Sequence, residues 1–398
     1  MEKIRINFER KHRVIKFELN PNYIQKIILS SLTYAASKLW NIANYERMNW
    51  TKESGKIYPD WYEQKKRLKT HFWYKSLSSQ TAQELLKQLD GSWKSFYKLK
   101  KTGAVLNPSP PGYKHTNFNI RFLKKSFLVL DSKIRLTVSR QQKEYIKNRY
   151  NITIDFLYIK IPNDYKDFEG NIKIIEIIPI QKSNRYMVNI IIELPKKSII
   201  ENNGIYMSID LGIINLMTCY ISTGKSMIIS GRQLLSIDRY YDREISYYQS
   251  IAHAQQRAIG DYPKNTKRTS MPYRKRRKQI NHLLHAAAKT VVDKAVSEGV
   301  SKFIIGDVSN IRDGIDMGKV NNQKLHKWPF RRIIDMISYK AEDAGIEVNF
   351  QEESYTSQCS PYALEVTSAI ADKSNRIHRG LYQFNNLRLS HSLCKPLG

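Results

Sequence analysis

The chain has 398 residues, 41% of them hydrophobic, with 66 Lys and Arg against 36 Asp and Glu, a net charge of +30. That hydrophobic content excludes a disordered chain, and a charge so unbalanced repels itself unless a polyanion compensates it. No apolar run approaches the ~18 residues of a membrane span, and MEKIRINFERKHRVIKFEL has no signal-peptide apolar region. The expectation is a soluble, cytoplasmic, nucleoid-associated protein of two or three domains whose partner is nucleic acid, not membrane.

Residues 4–19 alternate charged and apolar side chains and read as a short strand pair. A helical block follows from about Tyr23 to Lys101. Its clearest member, QTAQELLKQLDGSWKSFYKLKK (80–101), puts Ala82, Leu85, Leu86, Leu89, Trp93, Phe96 and Tyr97 on one face and Lys87, Lys94 and Lys98 on another. Thr81 with Glu84 gives a capping-box start. NPSPPGYKH (107–115) reads as a proline-rich linker. Strands return from Asn119 to Leu194, the last two joined by the hairpin connection QKSNR. Strand, helices, then strands again predict a small β-barrel with a helical insertion.

After Gly204 come strands at 205–211, 214–221 and 226–230, long helical sequence, the strand SKFIIGD, the helix LHKWPFRRIIDMISYKAEDAG and the strand IEVNFQEES. A three-strand meander followed by helix–strand–helix–strand is the RNase H order. Between the third strand and a helix from Gln279, KNTKRTSMPYRKRRK (264–278) holds eight Lys and Arg and no acid. With the overall charge excess, it reads as a phosphate-contacting run.

An RNase H-like nuclease clamps two divalent metals with acids from the first strand, the end of the fourth and the final helix. Asp210 fits the first place, with Gly212 following to let a phosphate backbone approach. The second place falls on Gly306; Asp307, its neighbour, should face the other side of the sheet. Glu352 and Glu353 read either as substitutes or as surface acids. No Asp or Glu follows Asp372, so the third ligand and most of its helix are read as missing. The three cysteines, Cys219, Cys359 and Cys394, cannot make a disulfide framework. Cys359, His378, His391 and Cys394 could assemble a metal site, but paired-ligand spacing is lacking and they read as unpaired tail residues.

LWNIANY (39–45), SLSSQTAQELLKQLDGSWKSFYKL (76–99), PSPPGYKH (108–115), MSIDLGIINL (207–216), MPYRKRRKQINHLLHAAAKTVVD (271–293), GKVNNQ…PFRRIIDMISYKAEDAGI (318–346), EESYTSQCS (352–360) and NRIHRGLY (375–382), in this order, resemble TnpB, the transposon-carried RNA-guided nuclease. The resemblance implies an α+β multidomain chain. A WED-like β-barrel would occupy 1–20 and 116–200, a REC-like helical insertion 21–103 and a linker 104–115. A RuvC-like RNase H domain, with a degenerate zinc ribbon and truncated at its C-terminus, would occupy 204–398. The family's third acid falls on Leu393, so Asp210 alone of the usual triad remains. This combination is similar to the TnpB-like nuclease-dead repressors, which keep guide-RNA and DNA binding and occupy promoters. The alternatives are an endonuclease with rearranged RuvC carboxylates and a decayed transposon product.

The implied partners are a guide RNA and double-stranded target DNA beside a short adjacent motif, in a monomeric ribonucleoprotein. Binding would need no metal, and magnesium only if nuclease activity remained. The resemblance carries motif recognition to Tyr45, Ser79, Gln80, Gln83 and Lys87, where Gln and Ser can bond base edges. Phosphate contacts are expected from Lys94, Lys114, Lys267, Arg268, Arg274, Lys275, Arg276, Arg277 and Lys278. Trp40, Trp93, Phe96 and Tyr97 are read as core.

Overall fold

The computed structural model describes residues 12–55, 57–163, 171–194, 198–308, 327–351, 359, 374, 376–378, 381–384 and 387–390. The chain divides into two units, residues 10–195 and residues 196–398 with 1–9. Among the described residues no helix is long and apolar enough to cross a membrane.

The first unit runs β1 (His12–Leu19), α1 (Tyr23–Met48), α2 (Trp61–Leu68), α3 (Phe72–Lys75), α4 (Ser79–Thr102), β2 (Ile120–Leu123), β3 (Phe127–Leu130), β4 (Lys133–Thr137), α5 (Arg140–Tyr150), β5 (Phe156–Lys160), β6 (Asn171–Pro179) and β7 (Tyr186–Glu193). The expected N-terminal strand pair is, in its described part, one strand. The partner of β1 is β7, in antiparallel register from His12 opposite Glu193 to Leu19 opposite Tyr186. The strands form two sheets, β1-β7-β6-β2 and β3-β4-β5. Strand pairing does not close them into one barrel among the described residues; the 3-10 turn Lys124–Ser126 passes the chain from β2 of one sheet to β3 of the other.

Asn22 and Gln25 form a reciprocal capping box at the start of α1. The start of α4 differs from expectation. Ser78, in extended conformation, is the cap and accepts from the Thr81 N–H, while Thr81 is buried inside the first turn. Glu84 reaches Arg121 instead. Helix α5 lies where strands were expected; Ser139 caps its start and Asn151, at φ 54°, ends it. One apolar cluster joins Leu29, Leu39 and Leu86 of the helices to Ile134 of β4 and Ile175 and Ile190 of β6 and β7. The helices and both sheets therefore share a core. The proline-rich stretch is fastened to α1: Asn44 Nδ2 donates to the Pro111 carbonyl at 2.7 Å, Trp40 Nε1 to Gly112 at 3.1 Å and Asn41 Nδ2 to Lys114 at 2.9 Å.

The second unit contains β8 (Tyr206–Leu211), β9 (Asn215–Ile221), β10 (Ser226–Ser230), α6 (Arg232–Ala258), α7 (Lys267–Ser297), β11 (Lys302–Gly306), α8 (Phe330–Asp343) and β12 (Glu347–Gln351). Their order is β10-β9-β8-β11-β12, with β8, β11 and β12 parallel and the meander antiparallel, as an RNase H-like sheet requires. Met207, Ile209 and Leu211 alternate inward and share a core with Leu284, Ala288 and Val291 of α7 and Ile333 and Ile337 of α8. A further three-stranded sheet, β13 (Arg376–His378), β14 (Leu381–Phe384) and β15 (Leu387–Ser390), occupies sequence read as a tail.

Helix α7 begins at Lys267, not Gln279: Thr266 and Thr269 form its capping box, and the basic run is its opening turns. Lys and Arg are good helix formers. Pro272 is accommodated within the helix and buried.

Candidate nucleic-acid interface and the Asp210 strand

Asp210 is exposed, because strand alternation turns it to the face opposite Ile209 and Leu211, on the side of Ser208, Thr218 and Tyr220. The desolvation penalty that an apolar strand suggests therefore does not apply. On the covered face Cys219 is buried, and burial, together with the charge of Asp210, pushes its thiol up to about 12. It remains a protonated thiol, poorly suited as a ligand or nucleophile.

Gly212 has an internal purpose. A Cβ there would stand 2.6 Å from the Asn215 carbonyl oxygen. Gly231 is tighter still, at 2.1 Å from the Ile213 carbonyl oxygen. Buried Trp328 locks this turn by donating from Nε1 to the Gly212 carbonyl at 3.0 Å.

The parallel register pairs Ile305 with Ile209, which sets Gly306 alongside Asp210. The position read as the second acid thus lies beside the first but offers no side chain. Asp307 is exposed, just beyond the strand, and its N–H donates to the Gln351 carbonyl at 2.8 Å. Glu352, Glu353, Leu393, His391 and Cys394 lie outside the described residues. Cys359 is buried, and His378 ends β13. Among the described residues, no group of three or more His, Cys, Asp or Glu side chains converges to hold a metal ion.

Ser79, Gln80, Gln83, Lys87 and Lys94 all lie on α4, but most are engaged locally. Gln80 accepts from Ser126 at 3.0 Å, Gln83 bonds the buried Tyr74, Lys87 lies 4.7 Å from the Trp61 ring and Lys94 pairs with Asp90 at 2.9 Å. Ser79 and Tyr45 are exposed. Lys114 lies over the Trp40 and Phe118 rings, where burial lowers its pKa. Trp40 and Trp93 are core as expected, while Tyr97 is exposed and rests against Trp93.

Along α7, Lys267, Arg268, Lys275, Arg277 and Lys278 are exposed and Arg274 is half-buried. Arg276 is committed to α6, bonding Asp238 at 2.8 Å and Asp242 at 3.4 Å. Arg268 lies 5.2 Å from the Tyr248 ring. Sequence reasoning missed Arg332 of α8, whose pKa is lowered by burial and by the neighbouring charge of Arg277. His282, His285 and Lys289 are exposed farther along α7, at spacings of three and four residues that continue from Lys275 and Lys278.

Residues 189–312 match the family model OrfB_IS605, probable transposase, and residues 330–386 match the Cas12f1-like TNB domain. TnpB-like protein ORF457 of Acidianus two-tailed virus is 25% identical over 402 residues, covering 91% of this chain and 83% of the relative. The CRISPR-associated endodeoxyribonuclease Cas12f1 of Sulfoacidibacillus thermotolerans is 27% identical over 216 residues, covering 52% of this chain and 47% of its own. In a cryo-EM structure of a Cas12f1-sgRNA-target DNA complex, one chain superposes with a TM-score of 0.59 at 14% identity, covering 88% of this chain and 77% of that one. At that identity the likeness is one of fold. The chain thus carries an OrfB_IS605, TnpB-type region followed by a Cas12f1-like TNB region, within a mixed α/β multidomain fold of the Cas12f1 kind.

Proposed function

We propose that this protein is a nuclease-inactive, RNA-guided DNA binder that represses transcription by occupying promoter DNA beside a short adjacent motif. The carrying observation is Gly306 alongside Asp210: two-metal phosphodiester hydrolysis needs several convergent acids, and here the end of the fourth strand supplies none at that position. The names of the relatives support a guide RNA and target DNA as partners, and the charge of +30 suits a protein that holds a heteroduplex by its backbone. The β-sheets and helices of the first unit would serve as the WED-like and REC-like parts, and the second unit as the RuvC-like part. Such a complex is a cytoplasmic, monomeric ribonucleoprotein that binds without a metal.

A second reading, cleavage by Asp210 with Glu352 or Glu353, has one observation in its favour. Gly306 pairs with Gln351, the residue before Glu352. One experiment decides between the two readings. RNA that co-purifies with the protein is sequenced, and a plasmid carrying the matching target is incubated with the complex and magnesium. The repressor reading expects a homogeneous scaffold-plus-guide RNA, a stable shift of the intact plasmid, and unchanged binding by Asp210→Ala. Magnesium-dependent scission that Asp210→Ala abolishes would overturn it.

A further inference from the structure

The outer face of α7 carries Lys275, Lys278, His282, His285 and Lys289, all exposed. Their spacing of three and four residues keeps them within an arc of about 80° at 3.6 residues per turn. Ile280, Leu284 and Val291, which bury the helix, lie on the opposite side. Successive members of the stripe are about 5 Å apart along the axis, and the whole stripe is about 21 Å long. Helix α7 has one acid, Asp293, and it stands where the stripe ends. Among the described residues no carboxylate forms an ion pair with Lys275, Lys278 or Lys289, in contrast to Arg276, which lies between the first two.

The order Lys-Lys-His-His-Lys carries chemical information. A lysine ammonium has only donors and anchors phosphate. An imidazole nitrogen either donates or accepts, and a hydroxyl, which does both, can meet it in either state. His285 is positioned by α8: the Tyr339 hydroxyl lies 3.2 Å from its Nδ1. Ring nitrogens set between ammonium groups suit a backbone that presents hydroxyls between its phosphates. RNA has that backbone and DNA does not.

We infer that the Lys275–Lys289 face of α7 is a track for the ribose-phosphate backbone of RNA, in which the lysines hold phosphates and His282 and His285 contact 2′-hydroxyls. The inference rests on the RNA-binding part of the proposed function and adds a location and a means of distinguishing RNA from DNA.

The test uses full-length protein freed of RNA at high salt, with fluorescent RNA and DNA duplexes of one sequence and a salt titration of each. Replacing Lys275, Lys278 and Lys289 together by alanine should make the log–log salt dependence of RNA binding shallower by about two to three. His282→Leu with His285→Leu should leave that slope intact but reduce the RNA-over-DNA preference by about tenfold, the worth of one or two ordinary hydrogen bonds. The glutamine pair, which keeps a donor and an acceptor, should retain most of the preference. An unchanged slope in the lysine variant would overturn the track, as would equal loss of RNA and DNA binding in the leucine pair. The readout needs neither guide nor target, so its failure leaves guided binding standing, and failure of guided repression leaves the track standing.

Discussion

Arg47 donates to Asp90 at 2.9 Å between α1 and α4, with the arginine side chain fully buried and the aspartate nearly so. Burial pushes the Asp90 carboxyl up, but hydrogen bonds from Lys94 and Arg47, with their charges, outweigh it and leave the group below the usual carboxylate range. Removing one partner of a buried pair strands the other. Arg47→Leu should cost about 3 kcal/mol in urea unfolding, and adding Asp90→Leu should recover a large part of it.

Glu176 gives a second, pH-dependent prediction. It is buried on the four-stranded sheet, facing Arg121 of β2 and Asn189 of β7 in register. Burial raises its pKa, but bonds from Arg121, Asn189 and Asn119 prevail and lower it. A depressed carboxyl contributes stability above its unfolded value, about 4.3, and loses it as pH falls through the folded value. Thermal melts from pH 7 to pH 3 should show wild type well above Glu176→Gln near neutrality, with the gap closing below about pH 4.

Three glycines should respond differently to alanine. Gly231→Ala drives a Cβ to 2.1 Å from the Ile213 carbonyl and should destabilise by about 3 kcal/mol, with Gly212→Ala somewhat milder. At Gly91, inside α4, a Cβ meets nothing within 4 Å. That substitution should stabilise by about 0.5–1 kcal/mol. Chemical denaturation of the three variants checks the order.

Arg276 and Lys278 are two residues apart and should behave oppositely. Arg276→Ala removes the clamp to Asp238 and Asp242, costing about 1–2 kcal/mol, between the values for exposed and buried pairs. Lys278→Ala should leave stability within about 0.5 kcal/mol of wild type while weakening polyanion binding. Melting curves beside filter binding separate the two.

A carboxylate restored at position 306 should recreate half of a metal clamp. Gly306→Asp would stand alongside Asp210, and manganese should then raise the melting temperature of the variant. No such rise is expected in wild type or in the variant that also carries Asp210→Ala. Equal responses of all three proteins would count against the register argument.

The second unit was readable because its meander and helix–strand–helix–strand order survive as runs of alternating apolar residues around Asp210 and FIIG. Gly306 was also legible, since it closes FIIG, the fourth strand, where the RNase H-like pattern puts the second acid; its register beside Asp210 is a finding of the structure. The basic run was placed before the helix, whereas Thr266 caps the helix ahead of it; a run of Lys and Arg without apolar periodicity does not mark its own helical state. Helix α5 was hidden because RQQKEYIKNRY has only two buried positions, Gln142 and Ile146, and one of them is polar. The engagement of Gln80 with Ser126 and of Lys87 with Trp61 depends on distant chain segments. No local pattern announces such contacts.

The buried thiol of Cys219 has a practical consequence. While β9 stays paired with β8 and β10, an alkylating reagent meets a protonated, inaccessible sulfur there. The rate at which Cys219 takes up label therefore measures how often the sheet beneath Asp210 opens, a built-in chronometer for the second unit.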